Sequence, residues 1–164
     1  MSQSLPDALL RQRQPLGARR PEVSASRTKR ENVVALKGVP LFAGLPKRAL
    51  QRLAKEADEL EFEPGAHLVE EGLLGETLFV VIQGKAKVVR RGRRVGSVLP
   101  GDFFGELSTI DGGPRTATVV AETPMRVLRL FRATLRKVLQ DDPALAIKIL
   151  DGIVRRIRQV ERGG

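Results

Sequence analysis

Apolar and polar positions change period twice along this chain. Leu50, Leu53 and Ala54 recur at three- and four-residue spacing, with Lys47, Arg48, Arg52 and Lys55 facing away, which predicts an amphipathic helix ending near Ala57. Pro46 suits its first turn. Upstream, Glu31 to Gly38 predicts a helical turn or two, and Leu41 to Leu45 an apolar knot between helices. At Glu59 the period falls to two. Glu59-Leu60-Glu61-Phe62-Glu63 alternates strictly, as a half-buried strand does, and His67 to Glu70 predicts another. Leu78 to Ile82 is wholly apolar, hence a buried strand. Lys85 to Val88 alternates again, Arg91-Gly92 reads as a hairpin turn, and Arg94 to Leu99 as the return strand. Thr116 to Ala121 and Arg126 to Leu130 predict two more. Short strands separated by glycine turns, with no crossover helices between them, indicate a β-barrel or sandwich rather than a parallel α/β fold.

From Phe131 the helical period returns. A short helix is expected over Thr134 to Gln140, then a longer one from Pro143, with Asp141 or Asp142 able to cap it. On the long helix Ala146, Ile149, Ile153, Ile157 and Val160 form one row, and Ile147, Leu150 and Val154 lie beside it. That arc is wider than the roughly 100° stripe a single contact needs. One face can pack on the strands while the remainder meets a partner helix, a ligand or a second copy of the chain.

Composition adds limits to this picture. The 164 residues allow one domain with a core, plus a tail. Residues 1–30 hold three prolines and seven basic residues against Asp7 and Glu22, so a disordered basic tail is expected there. With 29 Lys+Arg against 19 Asp+Glu the net charge is +10. The six Phe do not interleave with basic residues as a stacking platform requires, so nucleic acid is not the expected partner. The absence of cysteine excludes disulfides and thiolate chemistry. His67 stands alone, too few imidazoles for a His-based metal site or base network, and reads as a structural or surface residue. No run approaches the ~20 apolar residues of a membrane span, and the N-terminus lacks a secretory apolar segment, so a cytoplasmic location is the default.

The densest candidate chemistry lies between Gly101 and Val120, GDFFGELSTIDGGPRTATVV. Gly105-Glu106-Leu107 follows Phe103 and Phe104 and opens a helical turn, and Arg115 comes nine residues after Glu106. Helix-start amides, a nearby glycine and a guanidinium suit one small anion. An ionised Glu106 only accepts hydrogen bonds and suits a hydroxyl instead. Anion and hydroxyl on one ligand point to a nucleotide or sugar phosphate.

F-G-E-L followed by P-R-T-A resembles the phosphate-binding cassette of the cyclic-nucleotide-binding domains, the family of the bacterial catabolite activator and of kinase and channel regulatory domains. The resemblance covers roughly residues 33–162. It implies a mainly β fold, an eight-stranded jelly-roll β-barrel over 58–130 with the cassette at 101–120. N-terminal helices at 31–57 and C-terminal helices at 131–162 would flank the barrel, giving one domain at 31–162. It implies Arg115 on the cyclic phosphate, Gly105 allowing close backbone approach and Glu106 on the ribose 2′-hydroxyl. Phe104 completes the motif, Leu107 and Ser108 offer amides, and Thr116 reaches a phosphate oxygen. Val88 and Val95 match positions lining the base. Arg156 matches the segment of the final helix that closes over the nucleotide. Val160-Glu161 stand where the catabolite activator carries the Thr-Ser pair that reads adenine, so the adenine contacts do not carry over. Thr116 keeps cGMP open, although cAMP is the preferred ligand.

The function these residues imply is a sensor or regulatory module without catalysis or metal, passing ligand occupancy through its terminal helices to an effector protein of unknown identity. The alternatives are a transcription regulator of the catabolite activator kind, or a structural module that no longer binds nucleotide. A metal-dependent phosphodiesterase would need a cluster of His and Asp ligands that a single His cannot supply.

Overall fold

The computed structural model of the chain describes residues 22–23, 33–34 and 36–163. Val33, Val34, Leu36 and Lys37 are helical, a 3-10 turn follows at Pro40–Phe42, and helix α1 spans Lys47–Glu56 with Pro46 as its N-cap. Strands β2 (Asp58–Phe62), β3 (His67–Val69), β4 (Thr77–Gln83), β5 (Ala86–Arg90) and β6 (Arg93–Val98) come next. A two-residue strand β7 (Phe103–Phe104) leads into helix α2 (Glu106–Asp111). Strands β8 (Thr118–Ala121) and β9 (Met125–Phe131) and helices α3 (Arg132–Asp141) and α4 (Pro143–Gly163) complete the order. The basic tail expected at 1–30 lies outside the described residues except for Glu22–Val23, which form strand β1 antiparallel to β2.

The strands form two antiparallel sheets, in the orders β1-β2-β9-β4-β7 and β3-β8-β5-β6. Among the described residues no pairing joins the two sheets into a closed barrel, so the observed architecture is two sheets with flanking helices. The chain passes from one sheet to the other at Gly84 (φ 93°), where a Cβ would overlap the Pro124 carbonyl oxygen.

Burial explains the sequence pattern. The five-stranded sheet is covered on both faces. Leu78, Val80, Leu128 and Leu130 pack with the helices through Leu36, Phe42, Leu53, Leu135, Leu145 and Ile149. Phe79, Val81, Met125 and Val127 pack toward the second sheet with Val119, Ala86 and Phe104. A strand buried on both faces has no polar positions to alternate, hence the apolar run of β4. The same layering corrects the reading of β2. Glu59, expected on a solvent face, is 8 % exposed because that face lies toward the helices. Its carboxylate is paired there with Arg126, which lies diagonally across on β9, opposite Glu61.

Of the two cap candidates, Asp141 is the last residue of α3 and forms an ion pair with Arg52 of α1, and Asp142 is the residue directly before α4. Thr134 donates a hydrogen bond to Glu56 at 2.6 Å, a second tie between α1 and α3. On α4 the buried seam is Leu145, Ile149 and half-buried Ile153. Ile157, which the spacing places in one row with Ile149 and Ile153, is 53 % exposed and shares an outer face with Ile147, Leu150 and Val154. Val160 lies outside the described side chains.

Candidate functional site

The site grows from a two-residue strand and a six-residue helix. Adjacent residues of a strand point to opposite faces. Phe103 therefore packs into the helix-side core, and Phe104 into the core between the sheets. Phe104 stacks on Phe79 with ring centroids 5.2 Å apart. Gly105 then adopts the left-handed conformation (φ 84°), which a residue with a Cβ resists, and starts α2. The carbonyl of Gly105 is a hub. It accepts from the Thr109 amide at 3.2 Å, the Thr109 hydroxyl at 2.7 Å and Arg115 Nη1 at 3.1 Å. Gly112, again left-handed at φ 74°, closes the helix through its amide on the Ser108 carbonyl.

Arg115 is brought to this helix start by a tethered loop. Its amide donates to the Leu73 carbonyl, its carbonyl accepts from the Gly72 amide, both at 2.8 Å, and Leu74 and Pro114 form an isolated bridge. Arg115 is 6 % exposed. Nη1 donates to the Thr77 carbonyl at 2.9 Å and Nη2 to the Thr77 hydroxyl at 2.9 Å. The group stands 5.9 Å from the centroid of the Phe79 ring. A Cβ at Gly75 would overlap Arg115 Nε, Cζ and Nη2, and one at Gly105 would come within 2.6 Å of Nη1. The guanidinium is thus held in plane by Thr77 and Gly105 against a glycine floor. Glu106 is 3 % exposed at the opening of the same helix, with Ser108 (2 %) and Thr109 (1 %) behind it.

The structure therefore brings Phe104, Gly105, Glu106, Ser108 and Arg115 to one place. Leu107 is in the same helical turn, its side chain outside the described ones. The first-turn amides of a helix have no intrahelical acceptor. Next to a buried guanidinium they suit an oxyanion, while a buried carboxylate suits a hydroxyl.

Thr116 is exposed, and its carbonyl accepts from Arg90 Nε at 3.1 Å. Val88 is half-buried against the inter-sheet core. Val95 is 57 % exposed, because it sits in the bulge that interrupts β5–β6 pairing between Val88/Gly96 and Val89/Arg94. Arg156 is on α4, its side chain outside the described ones. Residues 38 to 40 positions away in the chain, Thr77 and Gly75, were not marked by any local motif. Only the strand pairing that sets β4 beside the cassette reveals them. Among the described residues no three metal-ligating side chains form a cluster, and no helix is long and apolar enough to cross a membrane.

Comparison with known proteins matches residues 59–142 to the family model described as cyclic nucleotide-binding domain. The chain is 33 % identical over 134 residues to a CRP-like cAMP-activated global transcriptional regulator of Mycobacterium tuberculosis, covering 79 % of this chain and 59 % of that protein. It is 33 % identical over 118 residues to the cAMP-dependent protein kinase regulatory subunit of Aspergillus fumigatus, covering 71 % of this chain and 29 % of that one. The catabolite activator protein of Thermus thermophilus is similar in structure, with a TM-score of 0.68 and 29 % identity, over 76 % of this chain and 61 % of that one. The chain thus spans less than two thirds of the length of these curated relatives.

Proposed function

The chain belongs to the cyclic nucleotide-binding domain family, and from that premise we propose that residues 101–120 bind a cyclic nucleotide, cAMP in preference to cGMP. The carrying observation is a buried guanidinium, Arg115, and a buried carboxylate, Glu106, placed at one helix start across the side-chain-free Gly105. Arg115 and the amides of Leu107 and Ser108 take the cyclic phosphate, with Thr116 on a phosphate oxygen. Glu106 takes the ribose hydroxyl. Phe104 underlies the cassette, and Val88 and Val95 line the base. Arg156 of α4 covers the nucleotide. The preference for cAMP is supported by the relatives, one described as cAMP-activated and one as the regulatory subunit of a cAMP-dependent kinase. The eight strands β2 to β9 are compatible with the family's jelly-roll barrel.

Occupancy is passed on through the terminal helices to an effector protein. Two contacts support that route. Arg132, the first residue of α3, donates from Nη2 to the Ile110 carbonyl of α2 at 3.3 Å. Phe103, two residues before Gly105, packs so closely on α4 that a Cβ at Gly152 would overlap its ring. A cassette that closes on ligand therefore has direct contacts to both helices. The outer face of α4 supports a homodimer: Ile147, Leu150, Val154 and Ile157 recur at spacings of three and four and stand 47–59 % exposed.

Calorimetric titration with cAMP and cGMP tests the reading. A charge-assisted hydrogen bond contributes about 1.5–3 kcal/mol, which is roughly 10- to 150-fold in affinity. Arg115→Ala, losing several at once, is expected to abolish measurable binding. Glu106→Ala is expected to weaken binding and to narrow the preference for ribose over 2′-deoxyribose. Unchanged affinity in Arg115→Ala sinks the assignment.

A further inference from the structure

We propose that the cationic side chains of the β5–β6 hairpin, whose Val88 and Val95 are assigned above to the base, form a second anion-binding surface that docks the phosphate backbone of a nucleic acid duplex without reading its sequence. From Thr77 to Gly101 the chain carries no acidic residue, yet Lys85, Lys87, Arg90, Arg91, Arg93 and Arg94 fall within it. All six belong to one hairpin at the edge of the four-stranded sheet, and all but half-buried Lys87 are exposed. Two acids reach it from other elements. Glu122 holds Arg94 through both carboxylate oxygens, at 2.9 and 3.2 Å, and Glu71 accepts from the Arg91 amide at 2.9 Å. The second contact fixes the hairpin tip without neutralising the Arg91 side chain's place in solvent.

Two features of this hairpin work against stability, and both keep cations at the tip. Arg91 has φ 50° and Gly92 φ 75°, the left-handed pair of a tight hairpin turn. Asn or Asp is favoured at the first of these positions, and an arginine is strained there. Arg90 and Arg93 are direct cross-strand partners, and like charges so placed repel. A folding requirement would have selected Asn at the one and an uncharged β-former at the other. A surface that must present guanidiniums to an anion retains arginine at both.

The chemistry of the hairpin favours a nucleic acid backbone over other polyanions. Four of the six cations are arginines, whose planar fork pairs with phosphate oxygens. A duplex carries one negative charge per ~1.7 Å of axis, dense enough to engage several cations on one hairpin. The absence of stacking aromatics, on which the sequence reading set nucleic acid aside, bears on unpaired bases and not on phosphate contact. An acidic peptide adding a strand to β6 would meet the bulge at Val95 and an arginine-lined edge, both of which break a ladder. A lipid surface would be expected to select aromatic anchors, and the hairpin has none.

The test compares the full chain with its Lys87→Gln/Arg91→Asn/Arg93→Thr variant, sparing Arg90 because it contacts Thr116. Fluorescence anisotropy of a labelled mixed-sequence duplex is followed across salt concentrations. Cations in residues 1–30 are common to both proteins and cancel in the difference. The slope of log K against log salt is expected to shrink by about 2–3, near 0.9 per phosphate contact removed. The midpoint of thermal unfolding is expected to rise by a few degrees, since strain and repulsion are both relieved, and nucleotide affinity to stay unchanged. Weaker duplex binding in a more stable protein is the signature of a docking surface. An unchanged slope overturns the proposal and leaves the arginines as guards of an open edge. Binding to phosphatidylserine vesicles but not to the duplex overturns it in favour of a membrane surface.

Discussion

A guanidinium confined to a position 6 % exposed keeps its plane only if its neighbours both bond it and leave room for it. Thr77 does the first and Gly75 the second, and neither belongs to the cassette. Thr77→Val removes the hydroxyl that accepts from Nη2 while keeping the carbonyl that accepts from Nη1. Losing one bond to a charged group contributes about 1.5–3 kcal/mol, so nucleotide affinity is expected to fall ~10-fold or more, with Thr77→Ser restoring most of it. Gly75→Ala places a methyl where the guanidinium lies and is expected to lower affinity further than Thr77→Val. Calorimetry on the three variants orders them. If Gly75→Ala binds like the wild type, the guanidinium does not rest on that glycine. The candidate residues Gly105, Glu106 and Arg115 were legible in the chain because they lie in one short stretch. Thr77 and Gly75 were not, since a hydroxyl before an apolar strand carries no signal of what will be folded against it.

At the scale of elements, the two-residue strand β7 and the helix α4 depend on one close contact. Gly152 is an expensive residue inside a helix, about 1 kcal/mol worse than alanine, and its reason is the Phe103 ring. Gly152→Ala is expected to lose that propensity gain to overpacking of 1–3 kcal/mol and to end less stable than the wild type. Adding Phe103→Leu should recover stability, and a double-mutant cycle by denaturant unfolding reads the coupling. Additive effects would mean that the two sites do not touch in solution. The pairing of β2 with β9 makes a second such case. Glu59 and Arg126 form an ion pair on a covered face of the sheet. The Arg126 side chain is 24 % exposed and also lies 3.9 Å from Glu61, so Glu59→Ala leaves it a second carboxylate and is expected to destabilise by only about 1 kcal/mol. The alternation of β2 was correctly legible as a strand. Its outward face was not, because period two says that a strand has two faces and nothing about how many are covered.

For the whole molecule, the proposed ligand binding and the proposed self-association are the two equilibria to measure. A ligand that binds only the folded state stabilises it by about 2.7 kcal/mol at a hundred times its Kd. In a domain of this size that is a rise in Tm of roughly 5–10 °C, measurable by thermal shift with cAMP. The outer stripe of α4, Ile147, Leu150, Val154 and Ile157, recurs at alternating three- and four-residue spacing, which suits packing against a second helix. Leu150→Glu/Val154→Glu is therefore expected to convert a dimer to a monomer in analytical ultracentrifugation without unfolding it, since neither side chain belongs to the buried seam. A wild type that sediments as a monomer at high concentration removes the dimer.

What the sequence determined alone was whatever depends on neighbours along the chain. The change of period from helix to strand and back, the turn glycines, the helix starts at Pro46 and Pro143 and the candidate residues of 101–120 all belong there. Backbone propensity, capping and side-chain period act over a few residues, so their traces are written locally. The tertiary structure decided the rest. It split the strands into two sheets, covered both faces of one of them and buried Glu59. It also turned Ile157 outward and drew Gly75 and Thr77 under Arg115. Each of these is a contact between segments tens of residues apart, settled by which surfaces exclude water together.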